Sequence, residues 1–185
     1  MNAQVLDALK KEMEQTIDAM RKESAKMRTG RASTALIEGV MVEYYGSRTP
    51  LNQLAALSAP EPRLLVIQPY DRSVMQAIEK GILQSDLGLT PVNDGKVIRV
   101  PIPELTEERR KELVRHVRKV AEEYRVSLRS HRRDANERLK KMQKDKQLPE
   151  DEARATQERV QKMTDEYIDK LDKLLKTKED ELMAV

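Results

Sequence analysis

The chain of 185 residues has no cysteine, no phenylalanine and no tryptophan. Lack of cysteine removes disulfides, thiol nucleophiles and thiolate metal sites together, and it suits a reducing compartment. Lack of Phe and Trp leaves apolar packing to Leu, Val, Ile, Ala, nine Met and five Tyr. Such a set offers no broad aromatic platform on which the bases of a single strand could stack. No apolar run is long enough for a signal sequence or a membrane span, so a cytoplasmic protein without a membrane partner is expected. Phosphate-cradling glycine loops, GxGxxG and HExxH are missing as well. The two histidines, His116 and His131, lie about 22 Å apart if they share one helix, too far to hold one metal. The expectation is a protein that is not an enzyme and carries no cofactor and no metal.

Glycine and proline are also missing from Leu105 to Lys146, and there an apolar residue recurs at helical spacing: Leu113, Val117, Val120, Tyr124, Leu128, His131, Ala135, Leu139 and Met142. Steps of three and four place all of them on one stripe of a long helix. From Asn2 to Thr29 the positions Leu6, Leu9, Met13, Ile17, Met20 and Met27 predict a first helix, with Ser24 on the same stripe and Gly30 after its end. A third helix restarts at Pro149, with Glu150, Asp151 and Glu152 in its first turn, and carries Thr156, Val160, Met163, Tyr167, Leu171, Leu174 and Leu182 on its apolar line. Three stripes of this kind bury each other only by closing into a bundle.

Seven of the eight prolines fall between residues 31 and 103. Val40, Val42 and Tyr44 alternate with Met41 and Glu43 as in a strand, with a turn from Gly46 to Pro50. Arg63 to Gln68 resembles a strand covered on both faces. Asp71 offers an N-cap to a short helix carrying Val74, Ala77, Ile78 and Ile82, ending near Gly88. Leu89 to Val92 and Val97 to Val100 flank Asn93, Asp94 and Gly95 as in a tight hairpin. The fold class expected is therefore α+β: a long three-helix bundle domain from 1–30 and 104–185, with an inserted small β/α/β domain at 31–103.

Charge is distributed unevenly. The stretch Glu104 to Lys146 has 15 Lys or Arg against 9 Asp or Glu, a surplus of +6, while the whole chain carries +3. Residues from Pro149 onward have 7 basic against 11 acidic, or −4, and the inserted domain balances 7 with 7. On the long helix Arg118, Arg125, Arg129, Arg133, Lys140 and Lys144 share a second stripe, with Arg132 between that stripe and the apolar one. A charged stripe is ordinarily a solvated face with i,i+4 pairs. Here only Glu122, Asp134 and Glu137 stand nearby on the same helix, and arginine's planar fork suits phosphate. A rod with such a face suits the shaped surface of folded RNA.

The passages Met27-Arg28-Thr29-Gly30-Arg31-Ala32-Ser33, Val42-Glu43-Tyr44-Tyr45-Gly46, Thr49-Pro50-Leu51-Asn52-Gln53-Leu54-Ala55, Ser85-Asp86-Leu87-Gly88-Leu89, Arg99-Val100-Pro101-Ile102-Pro103, Leu105-Thr106-Glu107-Glu108-Arg109-Arg110 and Arg132-Arg133-Asp134-Ala135-Asn136 together resemble the ribosome recycling factor family. The resemblance runs from end to end. It implies an L-shaped, hinged molecule, monomeric, that binds the post-termination ribosome through ribosomal RNA of the large subunit. It also implies elongation factor G as partner, whose GTP drives the subunits apart and releases them from mRNA. Carried onto this chain, Arg129, Arg132 and Arg133 fall in the family's large-subunit contact region and Gly30, Arg31, Pro101 and Pro103 at its hinge; with Arg28, and with Arg125 and Lys140 from the basic stripe, the three arginines make up the expected RNA-binding set. Thr34 stands where proline is frequent in the family, and His131 where an aliphatic residue is usual. A scaffold or chaperone-like bundle is the competing class, but it has no evident need of an insertion on proline-bearing tethers.

Overall fold

A computed structural model of the chain describes residues 2–27 and 29–184. Three long helices dominate: α1 (Asn2–Ala25), α4 (Glu107–Lys144) and α5 (Glu150–Met183). Between α1 and α4 come β1 (Met41–Tyr44), β2 (Ser47–Pro50), α2 (Leu51–Leu54), β3 (Ala55–Glu61), β4 (Leu64–Pro69), α3 (Met75–Gln84), β5 (Val92–Asn93) and β6 (Ile98–Pro101), with 3-10 turns at Thr34–Leu36 and Arg72–Val74. The chain divides into two compact units, Met1–Ser24 with Lys111–Val185, and Ala25–Arg110.

The first unit is the bundle. At about 1.5 Å per residue, the 38 residues of α4 make a rod of roughly 57 Å. Polar pairs along its flanks fix the helix directions. Glu23 meets Tyr124 while Glu12 meets His131 and Arg138, so α1 and α4 are antiparallel. Arg118, Arg125 and Arg132 meet Glu179, Asp172 and Gln161 in turn, so α4 and α5 are antiparallel too. Asn2 reaches Glu152 and Glu14 reaches Tyr167, which leaves α1 and α5 parallel. The seam between them is built from Leu9, Met13, Met20, Leu128, Leu139, Val160 and Leu171, all almost fully buried.

His131 occupies its expected place on the seam and is tied to α1. The Thr16 hydroxyl donates to the Glu12 carbonyl at 2.9 Å, so at 3.1 Å it can only accept from His131 Nε2. Nδ1 of the same ring lies 3.4 Å from Glu12 Oε2. Lys178 was not legible as a seam residue, yet it is only 7% exposed on the buried face of α5. Burial lowers its pKa, and Glu181 at 3.6 Å works against that shift.

The α4–α5 turn is held by a backbone motif. Gln147 N donates to Met142 O at 2.9 Å and Lys146 N to Gln143 O at 3.0 Å, with Lys146 left-handed at φ 56°. This is the Schellman arrangement, in which the left-handed residue is usually glycine. Leu148 beyond it is buried, and Pro149 serves as the N-cap of α5, one position earlier than the first helical residue. At the other end of α4 the Thr106 hydroxyl accepts from Arg109 N, as a capping residue should.

In the second unit β3, β4, β6 and β5 form one antiparallel sheet in that order, and β1 pairs with β2 in a separate hairpin. The core gathers Leu51, Leu65, Ile67, Ile78, Ile82 and Ile98, each fully buried. Asp71 caps the 3-10 turn Arg72–Val74 that leads into α3, accepting from Ser73 N at 2.9 Å, while the N-cap position of α3 itself is Val74, which makes no side-chain cap. Several local expectations are corrected. α1 ends at Ala25, so Gly30, left-handed at φ 76°, lies five residues beyond it and does not cap it. Ser47 to Pro50 is a strand, and the turn is only Tyr45-Gly46, both at positive φ, the twist a two-residue hairpin favours. Leu65 and Ile67 are buried on β4, but Leu64 and Val66 are half-buried, so one face is only partly covered. The last hairpin is wider than a tight turn, with Asp94 accepting from Lys96 N and Val97 N, which hold its carboxyl down at about 2.

Both ends of this unit return to one place. Ala32 N donates to Pro62 O at 2.6 Å and Ile102 N to Arg63 O at 2.8 Å, so the β3–β4 turn receives both chain segments. Arg63 also pairs with Glu104, and a side chain added at Gly30 would lie 3.6 Å from Leu105.

Two stability experiments follow from these features. Lys146→Gly should raise the unfolding free energy of the protein by about 1 kcal/mol, because it removes the cost of an L side chain in the left-handed region. Urea unfolding with unchanged slope and a higher midpoint is the expected result. Conversely, a Cβ on Gly81 would sit 3.1 Å from the Met41 carbonyl and 3.3 Å from Val42. Gly81→Val should therefore destabilise by about 1–3 kcal/mol, as overpacking does, and loss of amide protection should be confined to Ala25–Arg110.

Candidate nucleic-acid interface

The basic stripe of α4 resolves into two rows. Arg118, Arg125 and Arg132 follow one another at steps of seven, which on a straight helix drift about 20° per step, here toward α5. All three find partners there. Arg118 Nε donates to Glu179 Oε1 at 2.6 Å, and Arg125 Nη2 donates to Asp172 Oδ1 at 2.6 Å while Nη1 is taken by Glu122. Arg132 Nη1 donates to Gln161 Oε1 at 3.3 Å. The carboxylates that answer this row thus come mainly from the acidic third helix, not only from Glu122, Asp134 and Glu137 on α4. Hydrogen bonds to Asp172 and Glu179 raise the guanidinium pKa values of Arg125 and Arg118 further. The Arg125 side chain keeps only 18% of its surface exposed.

The second row is turned outward. Arg129 has a long 3.5 Å contact with Glu122, whose other oxygen is engaged by Arg125. Arg133, Lys140 and Lys144 are exposed, and among the described residues their side chains make no hydrogen bond or ion pair. Val126, 49% exposed, lies among them. The result is a line of cations with little or no ion pairing, backed by a row in which Arg118 and Arg125 are already paired with carboxylates. Anions with several phosphates spaced along a groove or backbone fit such a line. Among the described residues, the buried side-chain oxygen left without a partner is Asn136 Oδ1, one turn beyond Arg132.

Of the candidate RNA-contact residues, Arg28 lies outside the described residues. Arg129, Arg132, Arg133 and Lys140 share one side of α4, while Arg125 is folded back onto α5. Among the candidate hinge residues, Gly30 and Arg31 lie outside helix and strand, Pro101 is the last residue of β6 opposite Leu64, and Pro103 lies between β6 and α4. No group of three or more metal-ligating side chains is found among the described residues, and no helix there is long and apolar enough to cross a membrane. Sequence reasoning missed Gln161 and Asp172. For Asp172 the signal was the acidic surplus after Pro149, which pointed to complementarity without giving the pairing; neutral Gln161 left no such signal.

A three-helix bundle with an inserted sheet unit and a cationic helix face defines an α+β protein with a surface suited to a polyanion. The sequence model of the family described as ribosome recycling factor matches residues 20–183. The ribosome-recycling factor of Carboxydothermus hydrogenoformans is 56% identical over 181 residues, 98% of each chain, and that of Bacillus subtilis is 54% identical over 185 residues, the whole of both. A solution structure of the ribosome recycling factor superposes with a TM-score of 0.80 at 44% identity, covering 100% of this chain and 98% of the other. A second solved structure, with a TM-score of 0.69, 45% identity and full coverage of both chains, describes the T. thermophilus ribosome recycling factor and the E. coli elongation factor G bound to the E. coli post-termination complex. The chain belongs to the ribosome recycling factor family.

Because the inner row is part of the bundle and the outer row is not, truncation should separate them. Arg125→Ala should cost about 1 kcal/mol of stability through its lost stem packing and interhelical pair. Arg133→Ala and Lys140→Ala should leave the unfolding midpoint unchanged. Thermal unfolding of the three variants checks this.

Proposed function

We propose that this protein binds the post-termination ribosome, laying the outer cationic row of α4 against ribosomal RNA of the large subunit, and that elongation factor G then uses it to part the subunits and free the mRNA. The observation that carries the reading is the row Arg129, Arg133 and Lys140, held outward with little or no internal charge partner, in a chain of this family. Arg132 adds a guanidinium at the border of that row. Arg28 belongs to the same contact set, with Arg125 as its structural backing. The protein works in the cytoplasm, as a monomer, and is not itself an enzyme: the free energy comes from GTP hydrolysed by elongation factor G. Gly30, Arg31, Pro101 and Pro103 act as the hinge by which the inserted domain, 31–103, is carried on the bundle, 1–30 with 104–185. The left-handed backbone of Gly30 and the rigid φ of the two prolines support that role.

The test is a salt titration of binding to isolated large subunits. The logarithm of affinity should fall linearly with the logarithm of salt, and Arg133→Ala and Lys140→Ala should each flatten the slope by about one unit, by analogy with phosphate contacts on DNA. Slopes identical to that of the unaltered protein would show the row to be solvated in the complex, and the interface would have to be placed elsewhere. In a subunit-splitting assay with elongation factor G and GTP, Gly30→Val should slow splitting more than it weakens binding.

A further inference from the structure

Arg132 is held differently from the other two arginines of its row. Arg118 and Arg125 each meet a carboxylate, whereas Arg132 meets the neutral amide of Gln161. The orientation of that amide is set one turn further along α5. Gln161 Nε2 donates to Asp165 Oδ1 at 2.8 Å, so its nitrogen end is fixed toward the acid and its oxygen end is presented to Arg132 Nη1. Asp165 itself is kept at one remove from the guanidinium by the length of the glutamine.

This arrangement orients a cation without neutralising it. A direct carboxylate partner, like those of Arg118 and Arg125, would cancel the charge and compete with phosphate. A neutral acceptor occupies one of the five guanidinium N–H groups and leaves the full charge and the other donors available. It also removes part of the rotamer freedom that a long side chain loses on binding. The surroundings agree with this: Arg132 is half-buried, Arg133 beside it is free, and Gln161 and Asp165 are both exposed at the edge of α5 where the α4 face begins.

Resting on the reading of Arg132 as an RNA contact, we propose that Gln161, oriented by Asp165, is a positioning residue that sets the Arg132 guanidinium for phosphate, so that α5 takes part in RNA binding without carrying the contact charge.

The experiment is a double-mutant cycle on the full chain, read as affinity for isolated large subunits across a salt titration, with thermal unfolding as the folding control. Gln161→Leu should weaken binding about three- to tenfold, the range of one modest hydrogen bond, while leaving the salt slope unchanged because Arg132 keeps its charge. Arg132→Ala should weaken binding and flatten the slope by about one unit. The double variant should bind like Arg132→Ala alone, since a positioning residue has nothing left to position. Gln161→Glu, which keeps an acceptor but sets a carboxylate against the guanidinium, should weaken binding and, unlike Gln161→Leu, flatten the salt slope. An unchanged affinity for Gln161→Leu beside a weakened Arg132→Ala would overturn the positioning role and leave the contact standing. So would an equal loss from Gln161→Leu in both backgrounds, which would make glutamine itself the contact or its effect merely structural. If Arg132→Ala bound like the unaltered protein, the proposal would fall together with the contact assigned to Arg132, while the slopes of Arg133→Ala and Lys140→Ala would still judge the rest of the face.

Discussion

A helix of 38 residues with a narrow apolar stripe cannot be stable as a free rod, because helix propensity contributes little and one neighbour covers only one side of the stripe. α4 therefore needs two partners at once, and α1 and α5 supply them along a shared seam. Everything else in the bundle follows from that requirement. The seam is about one side chain wide, so polar residues on its flanks lie within reach of the neighbouring helices. This is why Tyr124, His131 and Arg138 lean on α1 while Arg118, Arg125 and Arg132 lean on α5. Whatever remains of the basic face after those engagements is what the molecule can offer to another.

The second unit answers a different physical problem. Its elements are short, and its four-stranded sheet leaves one face only partly covered, so it relies on close approaches such as Gly81 against β1 and on a compact set of fully buried aliphatic residues. It has no net charge surplus in its sequence between 31 and 103. Long-range electrostatic attraction to a polyanion therefore falls to the bundle, and the insertion is left free to be shaped by packing.

Periodicity made the three long helices legible, because Leu113, Val117 and Val120, or Val160, Tyr167 and Leu171, repeat over many turns and no glycine or proline interrupts them. Short elements were harder. β3 was invisible because Ala55 to Glu61 has small residues, one Leu and a proline, with no alternation to mark it. β2 passed for a turn because Ser47, Arg48, Thr49 and Pro50 carry no apolar signal, and the strand exists through its pairing with β1. Lys178 was passed over because a lysine on an apolar line ordinarily marks where the line leaves the core. At the interface the sequence showed which helix carries cations, but the split into two rows depends on the rotation and register of α5. A single helix's periodicity holds no information on that.

Three helices with similar apolar stripes can close in two senses, with α1 and α5 on either side of α4, and the seam alone hardly distinguishes them. The flanks of α4 do. One edge offers Arg118 and Arg125 to Glu179 and Asp172, and the other offers Tyr124, His131 and Arg138 to Glu23, Thr16 and Glu12. Exchanging α1 and α5 would leave those pairs unmade and strand the acids of α5 away from their arginines, a penalty of the kind that selects one topology over its near mirror. The two unlike flanks of α4 thus favour one handedness of the bundle, and with it the side of the bundle on which the outer row emerges.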